Sequence, residues 1–179
     1  MQENAAEILS LIDGCKKRER KAQELLYRTM YGFAMNVAVR YARDEADAAD
    51  IMSHAFVKIF KSISNYDSSK GSFYAWIKKI IIREGLEHIK GRNQFEEIEI
   101  EDAELPSVTN NTVEHISAKE IMLLLKQLPP ATHAVFVLYV IDGYNHREIA
   151  AQLQISEGTS KWHLSEARKK MQKKLSVKI

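Results

Sequence analysis

Glu84, Glu87 and His88 come nearest to metal chemistry by type and spacing: Glu84 and His88 lie four apart, on one face of a helix, with Glu87 adjoining. A di-iron bundle would need Glu-x-x-His segments, which the chain lacks. His88 therefore reads as a core residue on the apolar side of its helix. The single Cys15 excludes an internal disulfide and cannot build a cysteine zinc cluster. There is no Gly-rich phosphate loop, no His-Glu-x-x-His, and no Ser or Cys in a nucleophile setting. No catalytic residue, metal or cofactor is expected. The chemistry that remains is the binding of a polyanion. From Gly158 to the end, Lys161, Arg168, Lys169, Lys170, Lys173, Lys174 and Lys178 stand against Glu166 alone. A phosphate backbone is attracted to such a surface. A solvated helix end would favour the same lysines through the helix dipole, so the apolar residues around them must decide.

Those residues describe a helix-turn-helix between Asn145 and Leu175. Ile149, Ala150 and Leu153 fall at helical spacing, and Ile155 follows a one-residue break at Gln154. Ser156 then precedes a second periodic run with Leu164, Ala167 and Met171. The Ser156 hydroxyl can accept from the backbone N–H of Gly158 or Thr159, and Ala150 is small enough for two helices to approach closely. Spacing, cap and charge agree on DNA.

The 179-residue length suits one ordinary domain or two small ones, and 45% apolar residues is normal for a globular chain. No run approaches the roughly 20 apolar residues of a membrane span. Glu3, Glu7 and Asp13 interrupt any signal-like stretch, so a cytoplasmic protein without membrane insertion is expected. The net charge is only +2, but it is unevenly placed. Asn93 to Ser117 holds seven acidic residues and no Lys or Arg, leaving 26 basic against 17 acidic residues elsewhere. This stretch, with Pro106 and the adjacent Asn110 and Asn111, reads as an acidic flexible linker. The expected architecture is all-α, with two small helical domains at 1–92 and 118–179 joined by the linker 93–117.

Within the first domain, Asp44 to Asp47 offers N-caps for a helix from about Ala46 to Ile63. Its buried face would be Ile51, Ala55, Phe56, Ile59, Phe60 and Ile63, leaving Asp50, Ser53, His54, Val57, Lys58 and Lys61 outward to dock a protein. A polar run, Ser64 to Ser72, precedes a helix from about Phe73 to Arg92. There Lys79, Arg83 and Lys90 form a basic stripe opposite Ile77, Ile81 and His88. Phe73, Tyr74 and Trp76 could stack on bases exposed by strand opening, although Trp76 is expected mainly in the core. Downstream, Ser117 caps a helix ending near Pro129, and Pro130 to Asp142 forms an apolar helix that Gly143 ends.

Leu25-Leu26-Tyr27 with Tyr31-Gly32, Asp44 through Ile51, and Phe73-Tyr74-Ala75-Trp76-Ile77 resemble the promoter-opening domain of bacterial RNA polymerase sigma factors of the extracytoplasmic-function subfamily. Leu128-Pro129-Pro130, Val135 to Leu138, Gly143-Tyr144, Glu148-Ile149-Ala150 and Ser156 to Lys161 resemble that subfamily's C-terminal domain. The resemblance covers about residues 22 to 175. It implies a transcription initiation factor that binds RNA polymerase core, recognises the −35 and −10 promoter elements and promotes strand opening. By resemblance, Asp50, Ile51, His54 and Lys58 contact the clamp of the polymerase largest subunit. Tyr66, Lys70, Trp76, Lys79 and Arg83 serve the −10 element, where the loop Ser64 to Ser72 receives a flipped base. Thr159, Ser160, Lys161, Trp162, Ser165 and Arg168 face the −35 major groove. The polymerase would supply catalysis and its magnesium, and an anti-sigma protein is an implied partner.

The chain departs from the family pattern at several positions. Ser53 and His54 stand where a Gln and an acidic residue are common, Arg83 where an Asn is common, and Glu166 where a basic residue is common. Gln154 replaces the usual turn glycine, and a left-handed conformation there would cost roughly 1 kcal/mol. Two other readings remain at this point. A helix-turn-helix regulator acting without polymerase would bind duplex by itself, and a helical protein adaptor would show no salt-sensitive affinity for nucleic acid.

Overall fold

The computed structural model describes residues 2–93 and 118–176. The acidic linker, with Glu97, Glu99, Glu101 and Asp102, lies outside the described residues, as does the expected cap Ser117. The chain divides into two compact units, Met1–His88 and Ile89–Ile179. The described residues form helices and turns, with no strand among them.

The first unit begins with α1 (Gln2–Lys16), α2 (Arg20–Ala38) and α3 (Glu45–Ser62). Single-turn 3-10 segments follow at Ile63–Asn65 and Ser68–Lys70, and α4 (Phe73–Asn93) closes the unit, running past its boundary. Leu26, Met30, Ala34 and Ala38 recur every four residues and bury one edge of α2. They share the interior with Ala48, Ile51, Met52, Ala55 and Ile59 of α3 and with Ile77 and Ile81 of α4. A fully buried aliphatic side chain of this kind contributes roughly 1.5–3 kcal/mol. Asp44 caps α3, its carboxylate accepting from Asp47 N at 2.9 Å. Ser72 caps α4, with its Oγ accepting from Ala75 N at 3.2 Å. Gly85 lets α4 meet the chain at Tyr41, because a Cβ there would lie 2.6 Å from the Tyr41 Cβ.

The second unit contains α5 (Ala118–Leu125), α6 (Pro130–Phe136), α7 (His146–Leu153) and α8 (Glu157–Ser176). Pro130 stands in the first turn of α6, where its missing N–H costs nothing. The helix expected through Asp142 changes character at Val137: Val137–Ile141 is a π turn, closed by Asp142 N donating to Val137 O at 3.0 Å. Gly143, at φ 79°, ends it. The expected helix up to Pro129 ends earlier, at Leu125, with a turn in which Leu128 N donates to Leu125 O. Leu125, Leu128, Ala167 and Met171 form one cluster of the core, flanked by Met122, Leu124 and Phe136.

Candidate nucleic-acid interface

The helix-turn-helix is α7 and α8, and its joint follows from local chemistry. Asn145 and Glu148 form a capping box at the start of α7: Asn145 Oδ1 accepts from Glu148 N, and Glu148 Oε2 accepts from Asn145 N. Gln154 ends α7 in the left-handed region at φ 58°, ψ 43°, as a turn at that residue requires. Ser156 Oγ then accepts from Thr159 N at 2.9 Å, capping α8.

The two faces of α8 separate cleanly. Leu164, Ala167 and Met171 are buried, while Lys161, Trp162, Ser165 and Arg168 are exposed on one continuous arc. Trp162 is 58% exposed, an uncommon position for the largest side chain. Two of the expected groove residues fall elsewhere. Ser160 is 0% exposed and lies 2.9 Å through its Oγ from His146 Nδ1, so it clasps α7 to α8 and cannot reach a base. Thr159 is half-buried, with its hydroxyl 2.9 Å from Ser156 Oγ. A second tie, Thr132 Oγ1 to His163 Nδ1 at 3.0 Å, joins α6 to the same helix. Glu166, in place of a basic residue, accepts from Lys169 Nζ at 3.0 Å, so this lysine's charge is partly met within the helix.

His133 of α6 is buried, and its Nε2 has no hydrogen-bond partner. Burial, with Lys126 adding to it, pushes the imidazole down to about 4. A smaller lowering at His163 comes from burial as well.

In the first unit the aromatics expected at the opened strand pack on one another. Tyr66 is 8% exposed, its ring 5.2 Å from Phe73 and 5.7 Å from Trp76. Its hydroxyl donates to Gly71 O at 3.1 Å, spanning the loop. Tyr66 therefore shapes the loop from inside rather than presenting a stacking face. Gly71 sits at φ 145°, a conformation closed to other residues, and so admits this span. Trp76 is half-buried against Phe73 at 5.6 Å. Lys70 is exposed and 3.6 Å from Asp67, whose carboxylate also accepts from Ser69 N and Oγ. Lys79 and Arg83 are exposed on α4, as the stripe requires, whereas Leu86 between Arg83 and Lys90 on that face is buried and interrupts it.

On α3, Asp50, Ser53, His54, Val57, Lys58 and Lys61 are all exposed, as the periodicity predicts. Ile51, expected as a polymerase contact, is 1% exposed, so it supports this face from beneath rather than forming part of its surface. Lys58 is tied within the unit by an ion pair to the largely buried Glu84 of α4. No periodicity reveals that pair, because its members lie 26 residues apart.

Two family models match: "Sigma-70 region 2" over residues 26–95 and "Sigma-70, region 4" over residues 118–171. The chain belongs to the sigma-70 family. The match to both regions, in this order and over more than half the chain, excludes a lone helix-turn-helix output module as the better description. This sigma factor is 23% identical over 92% of its length to the RNA polymerase sigma-H factor of Pseudomonas aeruginosa, of which 92% is covered. It is also 23% identical to the ECF RNA polymerase sigma-E factor of Escherichia coli K12, with 94% of each chain covered. The solved sigma factor RpoE of Bartonella quintana, in complex with the anti-sigma factor NepR, superposes with a TM-score of 0.56 at 16% identity. That likeness covers 87% of this chain and 98% of the other and speaks to the fold alone. The sigma factor is thus an extracytoplasmic-function type transcription initiation factor that works with RNA polymerase on promoter DNA. Among its described residues, no helix is long and apolar enough to cross a membrane.

Proposed function

We propose that this sigma factor reads a −35 element with the Lys161, Trp162, Ser165 and Arg168 face of α8, while the loop Ser64–Ser72 and the start of α4 hold the opened −10 strand. The observation that carries the reading is the division of α8: the apolar positions close the core and the cationic positions with Trp162 share the solvent face. Arg168 and Lys161 suit phosphate or guanine, and an exposed indole suits a thymine methyl. In the first unit Lys70, Lys79 and Arg83 are cations available to the strand, and Trp76, like Tyr74, is an aromatic with residual exposure. The outer face of α3, through Asp50 and His54 with Val57 beside them, docks on the clamp of the polymerase largest subunit.

The chain performs no chemistry of its own in this reading. Its two units hold two promoter elements at once, which makes the second contact effectively intramolecular. The 25-residue linker could span at most about 85 Å; its acidity suits a polymerase channel shaped for RNA. The complex of the similar RpoE with NepR supports an anti-sigma partner, and a cytoplasmic site of action follows from the partners proposed.

The test is to mix the purified protein with its host's core polymerase and follow complex formation by gel filtration, then map start sites on host genomic DNA. A one-to-one complex that initiates at sites core ignores is expected. Tight duplex binding by the free protein, with no polymerase complex, would overturn the proposal.

A further inference from the structure

The turn between α1 and α2 carries Lys16, Lys17, Arg18, Arg20 and Lys21, five cations in six residues, all exposed. It lies upstream of the residues matched to region 2 and has no part in the contacts above. The one acid among them, Glu19, is exposed as well, its carboxylate lying beside Gly14. There it adds to the burial that pushes the Cys15 thiol up to about 11. Five cations against this one carboxylate leave the turn cationic.

Local chemistry opposes this composition. Arg18 holds φ 62°, in the left-handed region that favours glycine. Arg20 and Lys21 occupy the first turn of α2, the positive end of its dipole, where no acid stands, and the N-cap Glu19 makes no capping hydrogen bond. Arg18 therefore stands where the backbone would prefer a glycine, and Arg20 and Lys21 where the helix dipole would prefer carboxylates. Residues kept against such local preference point to a function.

Position supplies the function. α1 packs against the Ile63–Asn65 turn that opens the Ser64–Ser72 loop. Lys16 is near enough to Asp67 to reinforce the Ser69 hydrogen bonds that hold that carboxyl below its usual range. The cationic turn thus borders the loop that receives the flipped base in the reading above.

We infer that the Lys16–Lys21 turn binds the phosphate backbone of the opened DNA strand, beside the nucleotide held by the loop. Guanidinium and ammonium groups at a turn meet phosphates without reading sequence, so the contact adds affinity and register but no base preference. The inference rests on the −10 reading, and the test separates the two.

The probe is a labelled non-template-strand oligonucleotide spanning the −10 region of a promoter that the holoenzyme itself initiates from. Its affinity for holoenzyme is measured across a salt series, beside an oligonucleotide with that region scrambled. The variants are Arg18→Gly, which removes a charge while relieving the backbone, and the triple Lys17→Gln, Arg18→Gly, Lys21→Gln. The triple variant is expected to bind at least about tenfold more weakly at low salt. Its salt slope should flatten by about 2, since each single-strand phosphate contact contributes about 0.7. Thermal stability should hold or rise with Arg18→Gly, and discrimination against the scrambled strand should persist. An unchanged slope, with wild-type discrimination intact, overturns this inference alone. Loss of core-polymerase affinity instead makes the turn a protein contact and overturns it equally. Wild-type holoenzyme that fails to distinguish the scrambled strand overturns the −10 reading and this inference together.

Discussion

The recognition helix and the Ser64–Ser72 loop were both expected to face DNA, yet they present their residues in opposite ways. On α8 the exposed arc is a direct consequence of helical geometry: one core beneath, solvent above, and each side chain's fate fixed by its angle. In the loop, Tyr66 turns inward to Phe73 and Trp76 and ties Gly71 through its hydroxyl. The aromatic set there packs on itself, and Lys70 at the loop's edge is left exposed. An aromatic residue in a single-strand site can thus serve as wall or as stacking surface, and its burial separates the two.

The sharpest way to break this comparison is at Tyr66. Tyr66→Ala should destabilise the first unit by roughly 3–5 kcal/mol, as for other buried aromatics, and Tyr66→Phe by about 1 kcal/mol for one hydrogen bond. Urea denaturation checks both; a stable Tyr66→Ala protein that only fails to open promoters would restore Tyr66 as a stacking residue. The second unit has its own weak point at His133. Its folded value of about 4 lies below the ordinary 6.5, so the unfolded chain takes up the proton first. Its stabilising effect is complete above about pH 6.5 and is lost as pH falls toward 4, by on the order of 3 kcal/mol. Hydrogen exchange of the α6 amides at pH 7 and pH 5 should show this loosening, and an identical pH response in His133→Leu would refute it.

At α8 the expected effects are on binding rather than folding. Trp162→Ala and Arg168→Ala should each cost about 1–3 kcal/mol against a −35 duplex in holoenzyme binding assays, while stability stays within about 0.5 kcal/mol. A matching loss of stability would place these side chains in the fold. The smallest effect is expected at the α7–α8 joint, where Gln154→Gly should stabilise the second unit by up to about 1 kcal/mol with DNA affinity retained. Thermal melts decide it, and a lower melting temperature would mean that the Gln154 side chain holds something the strained backbone hides.

Much of this was legible in advance because it is local. The caps at Asp44 and Ser156, the left-handed Gln154, the stop at Gly143 and the exposed outer face of α3 each depend on residues within one or two turns. The misses share a different cause. Ser160 sits at a groove-like position by spacing, but His146 claims its hydroxyl from the neighbouring helix. Lys58 reads as a free surface cation, but Glu84 meets it across two helices. Ile51 carried a family role and a buried position together, and burial prevailed. The five cations around Arg18 were plain in the sequence, and only their place beside the loop made them informative.

The sequence by itself determined an all-helical protein, the order of its two sigma regions and the polarity of each helix face, since periodicity, caps and charge act over a few residues. Tertiary structure decided which of the expected site residues reach solvent. A hydroxyl or a lysine becomes a contact or a strut according to what another helix brings within 3 Å, and no spacing along the chain encodes that distance.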